Sequence, residues 1–153
     1  MAEAKVKTEV TMTMSATCPS HSRADVSVRD VESVIDEPTE RGGTNLGMTP
    51  TETMVAALIG CTNVITNKIV ESYNMKIEAM DIEVDAQFDR RGVTLQDEVQ
   101  VPFPSMTLNI NIKSPNDPSE FDKVKADLQK FCPIAKVIRE SGTEIAENWN
   151  ITA

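Results

Sequence analysis

GGTNLGMTPTETMVAALIGCTNVITNKIVES, residues 42–72, is the stretch whose reading decides the fold. It opens on a glycine pair and a third glycine, passes through Thr49-Pro50-Thr51-Glu52, and then carries no charge from 53 to 67. Thr49-Pro50-Thr51-Glu52 fits a capping box: Thr at the N-cap, Pro at the first helical position, Glu at the third. A helix starting at Thr49 and ending near Tyr73-Asn74 follows. Met54, Leu58, Cys61, Ile65 and Ile69 share one face of it, and Val55, Ile59 and Val70 widen the apolar surface. A helix with so little polar face has to be buried, so the rest of the chain must supply its cover.

Working outward, residues 6–16 alternate apolar and polar through Val6, Thr8, Val10, Met12, Met14 and Ala16, which predicts a strand. A turn at 18–22 and short strands at 23–28 and 31–35 complete an antiparallel meander. Residues 36–48 are a loop long enough to cross between subunits or line a site. After the helix, 76–88 predicts a strand whose phase slips near Asp81, as at a bulge. A turn at 89–92 leads to a second strand at 99–112, its start confined to an edge by Pro102 and Pro104. Residues 116–131 form an amphipathic helix built on Phe121, Val124, Leu128 and Phe131. Cys132-Pro133 opens a short helix, 134–140, and 144–152 closes the chain as a strand. The expected architecture is α+β: a curled antiparallel sheet wrapped around a buried central helix. The 153 residues make one domain, with a meander and loop at 1–48, the helix at 49–74 and the remaining elements at 76–153. So apolar a helix is more easily buried in a homodimer than in a monomer of this size.

Composition narrows the function. A formal net charge of -9 argues against a nucleic-acid partner, because phosphate binding needs a positive surface. The longest uncharged run, broken by Thr and Asn, is short for a bilayer span. The opening MAEAKVKTEV lacks a basic-then-apolar leader pattern, so a cytoplasmic protein with no membrane partner is expected. One His and no Cys-x-x-Cys leave little for a metal site, and no glycine-rich nucleotide loop is present. No cofactor is expected.

Three cysteines are an odd count, and in a reducing compartment they are free, reactive or simply buried. Cys61 reads either as a small core residue or as a thiol needing an activating neighbour from elsewhere. Cys132, with proline after it, falls at a helix N-cap, where unpaired N–H groups favour a thiolate; a plain turn cap is the alternative. Cys18, in a turn near His21, reads as exposed. Glu52 is explained by the capping box. It also lies about 13 Å along the helix axis from Cys61 and, after about 900° of turn, on the opposite side. Arg29 and Arg41 precede the helix and are the cations placed to fold back towards a thiol.

The residues quoted first resemble the core signature of the OsmC/Ohr proteins: a Gly-Gly-Thr lead, Thr-Pro, a small-residue helix and its cysteine. Phe131-Cys132-Pro133-Ile134-Ala135-Lys136 is similar to the family's second cysteine motif. Val28-Arg29 and Asp36-Glu37-Pro38 resemble one branch of the family, and the element order agrees over nearly the whole chain. The resemblance implies a thiol-dependent peroxidase acting on small apolar organic hydroperoxides. Cys61 would be the attacking thiol and Cys132 the resolving one, with Glu52 and Arg29 as candidate partners. It also implies an external dithiol reductant and an intertwined homodimer with sites at its interface. Thr51, not Glu, follows Pro50, and the glutamate comes one place later than in the family's peroxidase pattern. That shift leaves a second expectation beside the enzyme: a non-catalytic redox-sensing or apolar-ligand-binding protein of the same fold.

Overall fold

A computed structural model describes residues 8–153. The chain divides into two compact units, 1–53 and 54–153, and each is taken by itself. In the first unit, β1 (Ser15–Thr17), β2 (Ala24–Val28) and β3 (Val31–Ile35) form the expected antiparallel meander. The first strand is much shorter than its alternation suggests. Residues 8–14 are not strand, and Val10, Met12 and Met14 stand 72%, 84% and 60% exposed. Alternation gives a segment an apolar face, but a strand also needs a neighbour for its backbone groups. Val6 lies outside the described residues.

The 36–48 loop is built on one carboxylate. Asp36 is fully buried. Its Oδ1 accepts from the Glu37 N–H, and its Oδ2 accepts from the N–H groups of Thr44 and Leu46 and from the Thr44 hydroxyl. The Asp36 N–H donates to the Met48 carbonyl, 3.1 Å away, and closes the loop's ends. The glycines serve this closure: a Cβ at Gly43 would run into the Glu37 carbonyl, and one at Gly47 into that of Val34. The Thr44 hydroxyl bond, with the three N–H donors, holds the Asp36 carboxyl down at about 2 against burial, which acts upward. Because the folded value lies below the unfolded one, this contribution to stability is complete above about pH 4 and is lost as pH falls through about 2. Asp36→Asn keeps the shape but turns an amide donor towards donors. It is expected to lower Tm by about 5–10 °C at neutral pH and to flatten the wild type's loss of stability between about pH 4 and 2. Thermal melts across that pH range check both.

α1 (Pro50–Ser72) begins as its capping box requires. The Thr49 N–H donates to Glu52 Oε2 (2.8 Å), and the Glu52 N–H donates to Thr49 Oγ1 (3.2 Å). By length and composition alone, its mean hydropathy of 1.4 over 18 residues would allow a membrane crossing, contrary to the short-run argument from sequence. The helix does not bury its whole circumference. Leu58, Thr62, Thr66, Ile69 and Val70 are buried, whereas Val64 is half exposed.

In the second unit, β4 (Ala79–Ala86), β5 (Ser105–Lys113) and β6 (Glu144–Thr152) make a sheet in that order, with α2 (Phe121–Phe131) and α3 (Pro133–Glu140) between β5 and β6. The single curled antiparallel sheet expected from sequence is thus two three-stranded sheets, and β5 and β6 run parallel. A connection through two helices is what a parallel pair needs. The bulge expected at Asp81 is absent: β4 pairs β5 without a break from Ala79 to Ala86. The phase slip arises because Ile77 precedes the strand and Met80 is its first inward residue. Met106, Leu108, Ile110 and Ile112 of β5 pack with Leu58, Ile69 and Val70 of α1 and with Phe121, Val124 and Leu128 of α2. The other face is polar: Asp81, Glu83 and Asp85 are exposed on β4, and Asn148 and Asn150 of β6 donate to Asn109 and Asn111 of β5.

Thr66 lies in this core fully buried, and among the described residues its Oγ1 has no hydrogen-bond partner. Thr66→Val keeps the volume and removes the stranded hydroxyl. It is expected to stabilise the protein by about 1 kcal/mol in urea unfolding; a loss of stability would show that the hydroxyl is bonded in solution.

Candidate active site

Cys61 sits mid-helix on α1, one residue before the buried Thr62. Cys132 caps α3: its backbone is extended (φ -75, ψ 105), and Pro133 is the first helical residue. The fixed φ of Pro133 suits a first turn, which leaves Cys132 just outside the helix. The Lys136 N–H donates to the Cys132 carbonyl (3.1 Å), and the Cys132 N–H donates to Leu128 of α2 (3.0 Å). One residue thereby ends one helix and begins the next.

These two placements, 71 residues apart in sequence, put Cys132 Sγ 3.2 Å from Cys61 Sγ, with the Cys132 thiol donating. All three cysteines are free. Cys61 is partly exposed and Cys132 is completely buried. Burial pushes the Cys132 thiol well above the ordinary range. The N–H groups of Ala135 and Ile134 act the other way, and the sulfur of Cys61 adds to the rise. At neutral pH Cys132 is therefore a protonated thiol, able to donate to whatever charge Cys61 carries.

The other sequence candidates lie in the first unit. Glu52 is exposed and engaged with Thr49; its carboxyl is held low by the Thr49 backbone and hydroxyl bonds, with the Arg41 charge adding to them. Arg29 occupies the turn between β2 and β3 at a positive φ of 54° and is exposed. Cys18 is exposed just after β1. A concavity of about 850 Å³ on the β1–β3 unit, lined in part by Arg23, Asp25, Glu32 and Met48, contains none of the three cysteines. Among the described residues no cluster of three or more His, Cys, Asp or Glu could hold a metal.

Sequence reasoning missed the group that anchors α3. Arg139 Nη2 lies 3.0 Å from Glu147 Oε1 on β6, and the Trp149 indole N–H donates to Glu147 Oε2 at 3.0 Å. The Glu147 side chain is only 9% exposed, so this pair fixes the helix whose N-cap is Cys132. An inward-facing glutamate in an otherwise apolar row of β6 was the available signal.

Residues 43–148 match the family model described as OsmC-like protein. The chain belongs to the OsmC-like family. The matched span includes both cysteine motifs. In fold, the chain is similar to an OsmC-like protein from Mycoplasma pneumoniae (TM-score 0.79, 16% identity, covering 95% of this chain and 99% of that one). It is also similar to an organic hydroperoxide resistance protein OsmC from Legionella pneumophila (TM-score 0.66, 14% identity, 96% and 100% covered). A third similar structure is an organic hydroperoxide resistance protein from Elizabethkingia anophelis (TM-score 0.69, 17% identity, 96% and 100% covered). No curated protein matches the chain in sequence.

Proposed function

We propose that this OsmC-like protein is a thiol-dependent peroxidase that reduces small apolar organic hydroperoxides. The observation that carries the reading is the 3.2 Å approach of a partly exposed thiol, Cys61, to a buried one, Cys132. Two family neighbours named organic hydroperoxide resistance proteins support the substrate class. Cys61 as thiolate attacks the terminal peroxide oxygen; the O–O bond breaks, the alkoxide leaves as alcohol with a proton, and Cys61 becomes a sulfenic acid. Cys132 then attacks the Cys61 sulfur, and water leaves with the Cys132 proton. Closing 3.2 Å to an S–S bond of about 2.05 Å takes a small side-chain movement. An external dithiol restores both thiols, and no bound cofactor is needed.

Half-exposed Val64 on α1 and the exposed row Val10, Met12, Met14 support the homodimer as the working form. The acidic charge and the thiol pair support a cytoplasmic protein without nucleic-acid or membrane partners. The test is mass spectrometry of the reduced protein after one equivalent of cumene hydroperoxide. The expected result is prompt loss of two hydrogens with a Cys61–Cys132 linked peptide. Inert thiols would overturn the enzyme and favour a redox-sensing or apolar-ligand-binding protein, a reading that the commitment of Glu52 to Thr49 also suits.

A further inference from the structure

We infer that Cys61 Sγ is the single point of chemical access to the thiol pair: reductant as well as oxidant reacts there, and Cys132 never meets an external molecule. The inference rests on the disulfide step of the peroxidase reading, but not on which oxidant makes the disulfide.

Thiol–disulfide exchange passes through three sulfurs in a line, so an incoming thiolate approaches one sulfur from the side opposite its partner. For Cys132 that approach is closed. Its side chain is completely buried and belongs to the same core as Leu128, Ala135 and Ile138. Cys132 is the N-cap of α3, so its sulfur sits at the start of that helix. Cys61 retains exposure, and attack on it drives electrons into Cys132. One thiolate of a dithiol attacks Cys61 Sγ and forms a mixed disulfide. The Cys61–Cys132 bond breaks, and its electron pair goes to Cys132 Sγ. The departing charge forms at the start of α3, where the helix dipole favours an anion, and is neutralised by the proton of the reductant's second thiol. That second sulfur then attacks the reductant's first, giving a cyclic disulfide and freeing Cys61.

The geometry also says why the reductant's second thiol matters. A monothiol adduct on Cys61 leaves Cys132 about 3 Å away, placed to expel the monothiol again and remake the internal disulfide. Cys132 is thus both the leaving group and the gate against single thiols.

The test uses the full chain with Cys18→Ser, so that the exposed third thiol does not interfere. The disulfide is made with diamide, exposed to excess cysteamine, quenched with acid at intervals, alkylated with N-ethylmaleimide and mapped by mass spectrometry. Cysteamine is expected on Cys61 and the alkyl label on Cys132 in nearly all singly modified chains. Cysteamine on Cys132, or divided between the two, would overturn the inference, as would failure of diamide to link the pair. A second measurement needs no trapped adduct. In the reduced C18S background, Cys132→Ser leaves Cys61 as the sole thiol, and Cys61→Ser leaves Cys132. Ellman's reagent is expected to react with the first at least about a hundredfold faster than with the second while folded, and equally after denaturation. Similar folded rates would sink the idea. A protein that shows this pattern yet ignores hydroperoxides would sink the peroxidase reading alone.

Discussion

Cys61→Ser is expected to lower kcat/KM for cumene hydroperoxide, with dithiothreitol as reductant, by at least about a thousandfold. The nucleophile in this chemistry is a thiolate, and a serine hydroxyl near neutral pH offers no comparable anion. The serine also removes the atom that must carry oxygen between the two half-reactions, so no other residue can complete the cycle. Cys132→Ser behaves differently. Its hydroxyl is still able to donate towards Cys61, so the first peroxide is consumed, but no thiol stands 3.2 Å away to trap the sulfenic acid. Without added reductant, that variant is expected to consume one equivalent of peroxide, then accumulate sulfinic acid on Cys61 with further peroxide. Peroxide consumption and intact mass, followed together, separate the two phenotypes. A Cys61→Ser protein turning over at the wild-type rate would refute the assignment.

The oxidised protein is expected to be more stable than the reduced one by about 4 kcal/mol. The cysteines lie 71 residues apart in sequence, and a cross-link across that span removes this much freedom from the unfolded chain. Native-state strain takes little back, because the sulfurs are already adjacent. Urea unfolding of the diamide-oxidised and the reduced forms measures the difference, in Cys18→Ser protein to keep the pairing unambiguous. Equal stability would mean that forming the bond distorts α1 or α3 by as much as it constrains the unfolded state. Cys61→Ser should abolish the difference. The reduced, reactive form is then the one that opens more often and is cleaved faster by proteases.

Local chemistry was legible in the sequence, and long-range chemistry was not. Thr49-Pro50-Thr51-Glu52 announces the start of α1, and the structure contains that box bond for bond. Pro133 announces that Cys132 caps α3. Both signals act within a few residues, where spacing fixes geometry. The separation of Cys61 from Cys132 depends on how α1 meets α2 and α3, which spacing does not encode. Asp36 reads from sequence only as the first residue of the 36–48 loop. Its role appears only when the loop folds back and brings Thr44 and Leu46 to it. Of the strand expected at 6–16 only the end, within Ser15–Thr17, forms among the described residues, for a related reason: alternation describes one face of a segment and not the neighbour that would pair with it. The parallel pairing of β5 and β6 was open to inference, because two helices lie between them in the chain.

The acidic outer face of β4 matters before the protein is finished. β4 lies at one edge of its sheet, and an edge strand on a newly made chain is a template for any passing copy. If two such strands met antiparallel and centred on Glu83, Asp81 of each would face Asp85 of the other, and the two glutamates would face one another. The mispairing that would seed aggregates is therefore opposed by charge in its own register. The same chain remains free to bury its apolar helix where no such charges stand.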